Sequence, residues 1–452
     1  ISIVPEKLKN SSNEDAYMPR VVSIGPRFKG SREDLLLMEE VKLRSMLSLL
    51  HRAGKAGESK TYLQKCSKAI WKINKQVRAS YVSNIKVENN ELAKIMLVDG
   101  CFLLELMIAN KLESQLPSRL CPSGPAHDVL KDEDVLSDLM LVENQIPILV
   151  LHILSKILFP NVFDPTRKEE RAKKINSLAL SVLGYSPLHL PCLESPHILD
   201  LVYFFVNGST VARTGTPTQE EDHVVLDIFD TTHTRQQQLR LKRCALRLLT
   251  AGVTIKVKLP EDKDSTGFGA VSCFRLVWNS FCGMLFWLCN IFLVNGKHMD
   301  LDRIPEEVEV KGLDFYFKFE KGKLEIEQLH ITNTTKAKWC NLIAWEHHKK
   351  NWKSSSSMVS GYESSDDENL VSTSSPSGKF TWAALIFNGL ICSADDIQLL
   401  KDRKVVVDHL RMSNQELMEF FSKIASGVDH GVVDYRSYIE MVDDINNFSK
   451  PR

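Results

Sequence analysis

Apolar residues recur three and four positions apart along most of the chain, and this spacing predicts helix. Leu36, Leu43, Leu47 and Leu50 predict a helix over 35–50 with those leucines turned inward, and Ser31 with Asp34 stands before it as a candidate capping box. Further helices are expected over 62–81 and over 90–110, the latter with Leu92, Ile95, Met96, Phe102 and Leu106 facing the core. Pro117, Pro122, Gly124 and Pro125 mark a loop. Helix is expected again over 134–145. Pro147 ends or kinks it, and another helix follows to Phe159. The stretches 167–183, 232–251, 383–400 and 414–421 carry the same period, and Gly252 is a natural stop for the second of them.

The period-two pattern is confined to two places. Val253, Ile255, Val257 and Leu259 alternate. Phe315, Phe317 and Phe319 alternate on one face, Lys321-Gly322 turns the chain, and Leu324 and Ile326 return, which is a hairpin. The shift to Leu329 and Ile331 predicts a bulge or a change of register. The fold class is therefore mainly α with a minor β part (α+β). The expected division is a helical body beginning over 1–258, an apolar insert over 259–303, a hairpin and following helix over 304–353, a loop without structure over 354–379, and the C-terminal helical part of the same globule over 380–452.

The insert and the loop stand apart in composition. Residues 276–294 carry no charge, and as a helix they would span about 28 Å, close to the hydrocarbon thickness of a bilayer. Arg275, Asn279, Gly283, Asn290 and Lys297 would form one narrow polar stripe on that helix. Three readings stay open: a core helix with one wet edge, a helix for a membrane interface or a protein partner, and a true span. Two asparagines near mid-span argue against the third. Trp278, Phe281, Trp287 and Phe292 are the candidate contact residues. The stretch 354–379 is rich in Ser, with Asp366, Asp367 and Glu368 in its middle, and has too few apolar residues to offset ordering entropy. Ser364 and Ser365, just before the acidic run, are candidate phosphosites for an acidophilic kinase, and an unmodified spacer reads equally well.

Hydrophobic residues make up 43% of the 452 and charged residues 25%, which suffices for a real core. Lys+Arg and Asp+Glu are 57 each, so no nucleic-acid partner is implied, and the basic stretches 235–247 and 347–353 read as solvated helix faces. Ten cysteines without a C-x-x-C pair, most in apolar runs, fit free thiols in a reducing compartment. The expected location is intracellular, in the cytoplasm or on the cytoplasmic face of a membrane, and the sequons at Asn10, Asn207, Asn333 and Asn447 are read as unused.

Catalytic signatures are missing from the sequence. It has no phosphate-binding G-x-x-x-x-G-K-[ST], no G-x-S-x-G elbow and no H-E-x-x-H, and residues 267–272 start like G-x-G-x-x-G but lack the third Gly. His347 and His348 are adjacent and cannot share a helix face for a metal. Asp227, Asp230 and His233 read better as a cap and turn than as a cation site. No cofactor, metal or small-molecule substrate is expected.

A set of short strings runs through the chain in order: Y-M-P-R-V-V-S-I-G-P from Tyr17, then Met38-Glu39 and Lys42, R-A-S-Y ending at Tyr81, and D-G-C-F from Asp99. After these come D-L-M-L-V-E-N-Q-I-P from Asp138, H-I-L-D-L-V from His197 and N-L-I-A-W-E from Asn341. Together they resemble the plant domain-of-unknown-function 247 family over nearly the whole length. The resemblance implies a short C-terminal hydrophobic span and, for some members in grasses, a role in pollen-side self-incompatibility. Two departures follow: the chain stops at Arg452, where such a span would begin, and it carries the 276–294 insert.

The strings also have a physical reading. Gly100 inside a helix costs about 1 kcal/mol against Ala, a cost offset if another backbone packs close. Asp99 and Glu143 lie in apolar surroundings and need partners if buried. Asn144 and Gln145 precede Pro147 and can satisfy backbone groups that proline frees. Asp99, Gly100, Cys101, Phe102, Glu143, Asn144, Gln145 and Pro147 are thus expected to form a structural polar network joining two helices. The functional expectation is a non-enzymatic plant interaction or recognition protein, associated with a membrane and an unidentified protein partner. The alternative is an enzyme of unrecognised type using Asp99 and Glu143, and a shared cleft between those carboxylates would favour it.

Overall fold

The computed structural model describes residues 1–9, 13–53, 58–83, 85–111, 129, 132–160, 163, 168–185, 195–213, 240–258, 313–359, 378–428 and 436–450. Apart from Lys258, they fall in one compact unit formed by Ile1–Val257 and Lys311–Arg452. The candidate contact residues Trp278, Phe281, Trp287 and Phe292, the candidate phosphosites Ser364 and Ser365, the triplet Asp227, Asp230 and His233, and the proline-rich loop lie outside the described residues.

The first half is helical. It comprises α1 (Glu6–Lys9), α2 (Leu36–Ala53), α3 (Ser59–Lys72), α4 (Asn74–Ala79), α5 (Asn89–Lys111), α6 (Glu133–Asp138), α7 (Ile148–Leu158), α8 (Lys168–Val182), α9 (Ile198–Arg213) and α10 (Ala245–Thr250). Helix α5 is the axis, with α2, α3, α7 and α8 packed around it. From Ile95 onward it is apolar on nearly every side, as suits a helix surrounded by others.

Helix α2 forms where the leucine spacing predicts it but is rotated from the expected orientation. Leu36, Leu43 and Leu47 are exposed, at 53%, 45% and 53%, while Lys42, Ser45, Met46, Leu49 and Leu50 face the core. The rotation follows from a buried ion pair between Lys42 and Asp99 of α5. The capping box at its start is also absent. Ser31 bonds the carbonyl of Phe28, and Asp34 pairs with Arg32.

Two other helices are shorter than their periodicity predicts. The expected helix over 134–145 stops at Asp138, because the groups of 138–145 are engaged with the N-terminal segment described below. Of the helix expected over 232–251, only 240–251 are among the described residues, and there 240–244 are irregular and α10 follows, ended by Gly252 at φ 89°.

The second half adds β2 (Phe317–Glu320), β3 (Lys323–Ile326) and β4 (Leu329–Ile331), then α11 (Thr335–Val359), α12 (Lys379–Leu390), α13 (Ala394–Asp402), β5 (Val406–Asp408), α14 (Asn414–Ala425) and α15 (Arg436–Phe448). With β1 (Thr254–Val257) the hairpin makes a three-stranded sheet of order β1-β3-β2, β1 running parallel to β3 and β2 antiparallel to it. Lys321 and Gly322 both have positive φ, 50° and 76°, which matches the right-handed twist of a two-residue hairpin. Leu329 and Ile331 are neither bulge nor register shift. They leave this sheet and pair in parallel with Val406 and Asp408 in a second one.

Helix α11 runs through 354–359, into the stretch expected to lack structure, and α12 begins at Lys379, which is buried. The single helix expected over 383–400 is two, α12 and α13, bent by 112° between them. Ser393 and Asp396 form a capping box at the start of α13, and Ser413 with Glu416 repeats it at α14. An aromatic cluster holds this half together. Phe315 lies 4.5 Å from Trp339, and Phe387 stacks on Phe421 at 5.1 Å.

Candidate functional site

The ordered strings converge in space on an extended N-terminal strap, residues 17–27, that crosses between α2, α5 and the irregular stretch 139–147. A strap without a neighbouring strand leaves its backbone groups needing side-chain partners, and the strings supply them. The Asp138 carboxylate accepts from the N–H groups of Arg20, Val21 and Val22 at 2.8–3.0 Å. Asn144 accepts from the Ile24 N–H at 2.7 Å and donates to the carbonyls of Val22 and Asp138. Asp99 accepts from the Gly25 N–H at 2.7 Å. The φ of Gly25 is 79°, and a Cβ there would sit 2.5 Å from the Gln145 carbonyl oxygen, so only glycine fits.

The charges are anchored in the same way. Lys42 is fully buried and reaches Asp99 Oδ1 at 2.6 Å, Glu39 at 2.6 Å and the Ser23 carbonyl at 2.7 Å. Burial opposes the Lys42 ammonium, but Asp99 and Glu39 outweigh it and hold its pKa above the usual value. Burial pushes the Asp99 carboxyl up, against the pull of Lys42 and the Gly25 N–H. Glu143 accepts from the Val4 N–H at 3.0 Å and pairs with Lys9 and Arg27 at 2.8 Å each. Burial would raise its pKa, yet Lys9, the Val4 N–H and Arg27 hold it below the usual range.

The expected network therefore exists in a different form. Asp99 joins α5 to α2 through Lys42 and holds the strap at Gly25, whereas Glu143, in a turn rather than a helix, holds the N-terminal segment at Val4 and Lys9 and the strap at Arg27. Gly100 meets side chains of α7 rather than a backbone, since a Cβ there would lie 2.6 Å from Leu154 Cδ1 and 2.8 Å from Val150 Cγ1. Cys101 and Phe102 are fully buried core residues, and burial pushes the Cys101 thiol well up. Gln145 donates to the carbonyls of Leu139 and Leu141 and accepts from the Leu199 N–H. Pro147 is the N-cap of α7.

The last two strings extend the same architecture. Asn341 accepts from the Val142 N–H at 2.8 Å and donates to the carbonyls of Ala16 and Ala337. Trp345 donates to Asp200 at 2.9 Å, and Lys349 reaches the same oxygen at 2.7 Å. The carboxylate of Glu346 accepts from the N–H groups of Phe380 and Thr381 at the start of α12, and burial pushes its pKa up to about 7. Lys42, Asp138, Asp200, Asn341 and Glu346 were not singled out as site residues from the sequence. Their presence inside the ordered strings was the available signal.

This is a helical fold whose recurring polar residues satisfy buried backbone. The chain belongs to the plant family described as plant protein of unknown function, DUF247, whose pattern matches residues 1–275 and 303–452. The unmatched gap contains the apolar 276–294 stretch, so that stretch lies outside what the family model matches. The chain is similar to the UPF0481 protein At3g47200 of Arabidopsis thaliana, 22% identical over 451 residues, which cover 94% of this chain and 72% of the relative. No solved structure matches.

Proposed function

We propose that the protein is a non-enzymatic interaction or recognition component on the cytoplasmic side of a plant cell membrane, with a self-incompatibility-type recognition role as the narrower version suggested by family resemblance. The observation that carries this reading is the leucine row of α2. Leu36, Leu43 and Leu47 lie along one line of the helix with Leu37 beside them at 79% exposure, and exposed apolar rows of this kind mark contacts. The sequence of 276–294, uncharged and outside the family pattern, offers a second candidate contact segment, with Trp278, Phe281, Trp287 and Phe292 as its membrane or partner contacts. Against the enzyme alternative stands the engagement of Asp99 and Glu143, both closed off and both committed to the strap.

The test uses the full chain with Leu43→Glu/Leu47→Glu and, separately, Trp287→Ser/Phe292→Ser, read by liposome flotation and by sedimentation for self-association. The expected result is loss of association in the first variant and loss of flotation in the second, with folding retained. Unchanged association and flotation in both, with the insert variant losing folding stability instead, would mean that these surfaces are ordinary structure.

A further inference from the structure

We propose that Cys244, Cys392 and Asp396 form a binding site for a soft divalent metal ion of the zinc class. The two sulfurs and a carboxylate oxygen of Asp396 lie within 4.8 Å of one another. Tetrahedral zinc with two thiolates and a carboxylate needs ligand atoms about 3.5–4 Å apart, a small contraction from this arrangement. A disulfide would need the sulfurs at about 2 Å.

The ligands come from two helix starts that pack together. Cys244 is the N-cap of α10, and Asp396 is the third residue of α13, with Cys392 just before that helix's N-cap. Asp396 is held in a fixed pose. One oxygen accepts from the Cys392 N–H at 3.0 Å, the Ser393 N–H at 2.9 Å and the Ser393 hydroxyl at 3.0 Å. The other accepts from the Leu246 N–H at 2.9 Å, and the Cys244 thiol also donates to this carboxylate. Hydrogen bonds of this kind fix the direction in which a ligating carboxylate presents its oxygen to a metal. Cys244 is buried and Cys392 is exposed, so an ion can reach the site from the Cys392 side, with water as the fourth ligand.

A zinc-class dication binds thiolate sulfur and so displaces one proton from each thiol. With two thiolates and one carboxylate the site then carries a single net negative charge, which the N-terminus of α13 favours.

The test titrates the reduced full chain with Co2+ or Cd2+, with Zn2+ as competitor, and follows thiolate charge-transfer absorbance and proton release. One ion per chain should bind with release of two protons. Cys392→Ser, at an exposed position where folding should be retained, and Cys244→Ser should each weaken that binding by more than about 100-fold, the upper end of what is lost when a residue that only hydrogen-bonds to a ligand is removed. Asp396→Asn should weaken it less, with circular dichroism confirming the fold. Absorbance undiminished in folded Cys392→Ser would place the metal on other cysteines and overturn the proposal. So would absence of the charge-transfer band in the wild type, or a Cys244–Cys392 disulfide that forms in air and is not suppressed by Zn2+.

Discussion

The clamp on the strap makes its sharpest prediction at Lys42 and Asp99. Both side chains are essentially excluded from solvent and meet at 2.6 Å. Lys42→Met leaves the Asp99 carboxylate buried without its cation, a loss of about 3–5 kcal/mol for a buried pair. Asp99→Leu strands the ammonium, although Glu39 remains within reach at 2.6 Å, and it also orphans the Gly25 N–H. Its cost should fall in the same range, of which about 1–3 kcal/mol is the orphaned donor. The double variant removes both charges together but still leaves the Ser23 carbonyl and Gly25 N–H without these partners. It should therefore cost less than the sum of the singles by about 2 kcal/mol or more, a coupling of the size measured for residues in direct contact. Urea unfolding followed by tryptophan emission reads all three, since Trp339 is fully buried. Limited proteolysis within 17–27 should become faster in each single variant. Singles that cost less than about 1 kcal/mol, or that add without coupling, would refute the clamp.

Other expectations follow from the same geometry. Gly25→Ala should cost more than Gly30→Ala by thermal melting, because both have positive φ, 79° and 69°, but only Gly25 has a carbonyl oxygen 2.5 Å from the added Cβ. Gly100→Ala should lose about 1–3 kcal/mol through overpacking despite its helix propensity, with Val150→Ala partly restoring it. Glu346 has a folded pKa of about 7 against 4.5. The folded chain therefore keeps a proton that the unfolded chain has lost, and stability from this group falls as pH rises through that window. The wild type's lead over Glu346→Gln should shrink by about 3 kcal/mol between pH 4.5 and 8, and a lead that grows with pH would contradict the burial argument. Ser393→Ala should cost about 1 kcal/mol in urea unfolding through loss of the α13 cap.

The helices α5, α7 and α8 and the β2–β3 hairpin were legible because each is specified locally. An apolar period over many residues, a proline at a helix start and a Lys-Gly turn need no distant partner. Leu92, Ile95, Met96, Phe102 and Leu106 of α5 all face the core as their spacing predicts. The ordered strings also carried the family and marked Asp99, Glu143, Asn144 and Gln145 as polar residues in need of partners. What those partners would be was not written locally. The orientation of α2 depends on an ion pair between residues separated by 57 positions, so the leucine row that looked like a core face is exposed while a lysine is buried. The end of α6 at Asp138 depends on backbone groups of the strap, 116–118 residues away. Leu329 and Ile331 pair with a strand at 406–408. Local periodicity reports how much apolar surface a segment must bury. Which side turns inward is decided by the chain that arrives to satisfy its polar groups, and only the tertiary structure brings that chain.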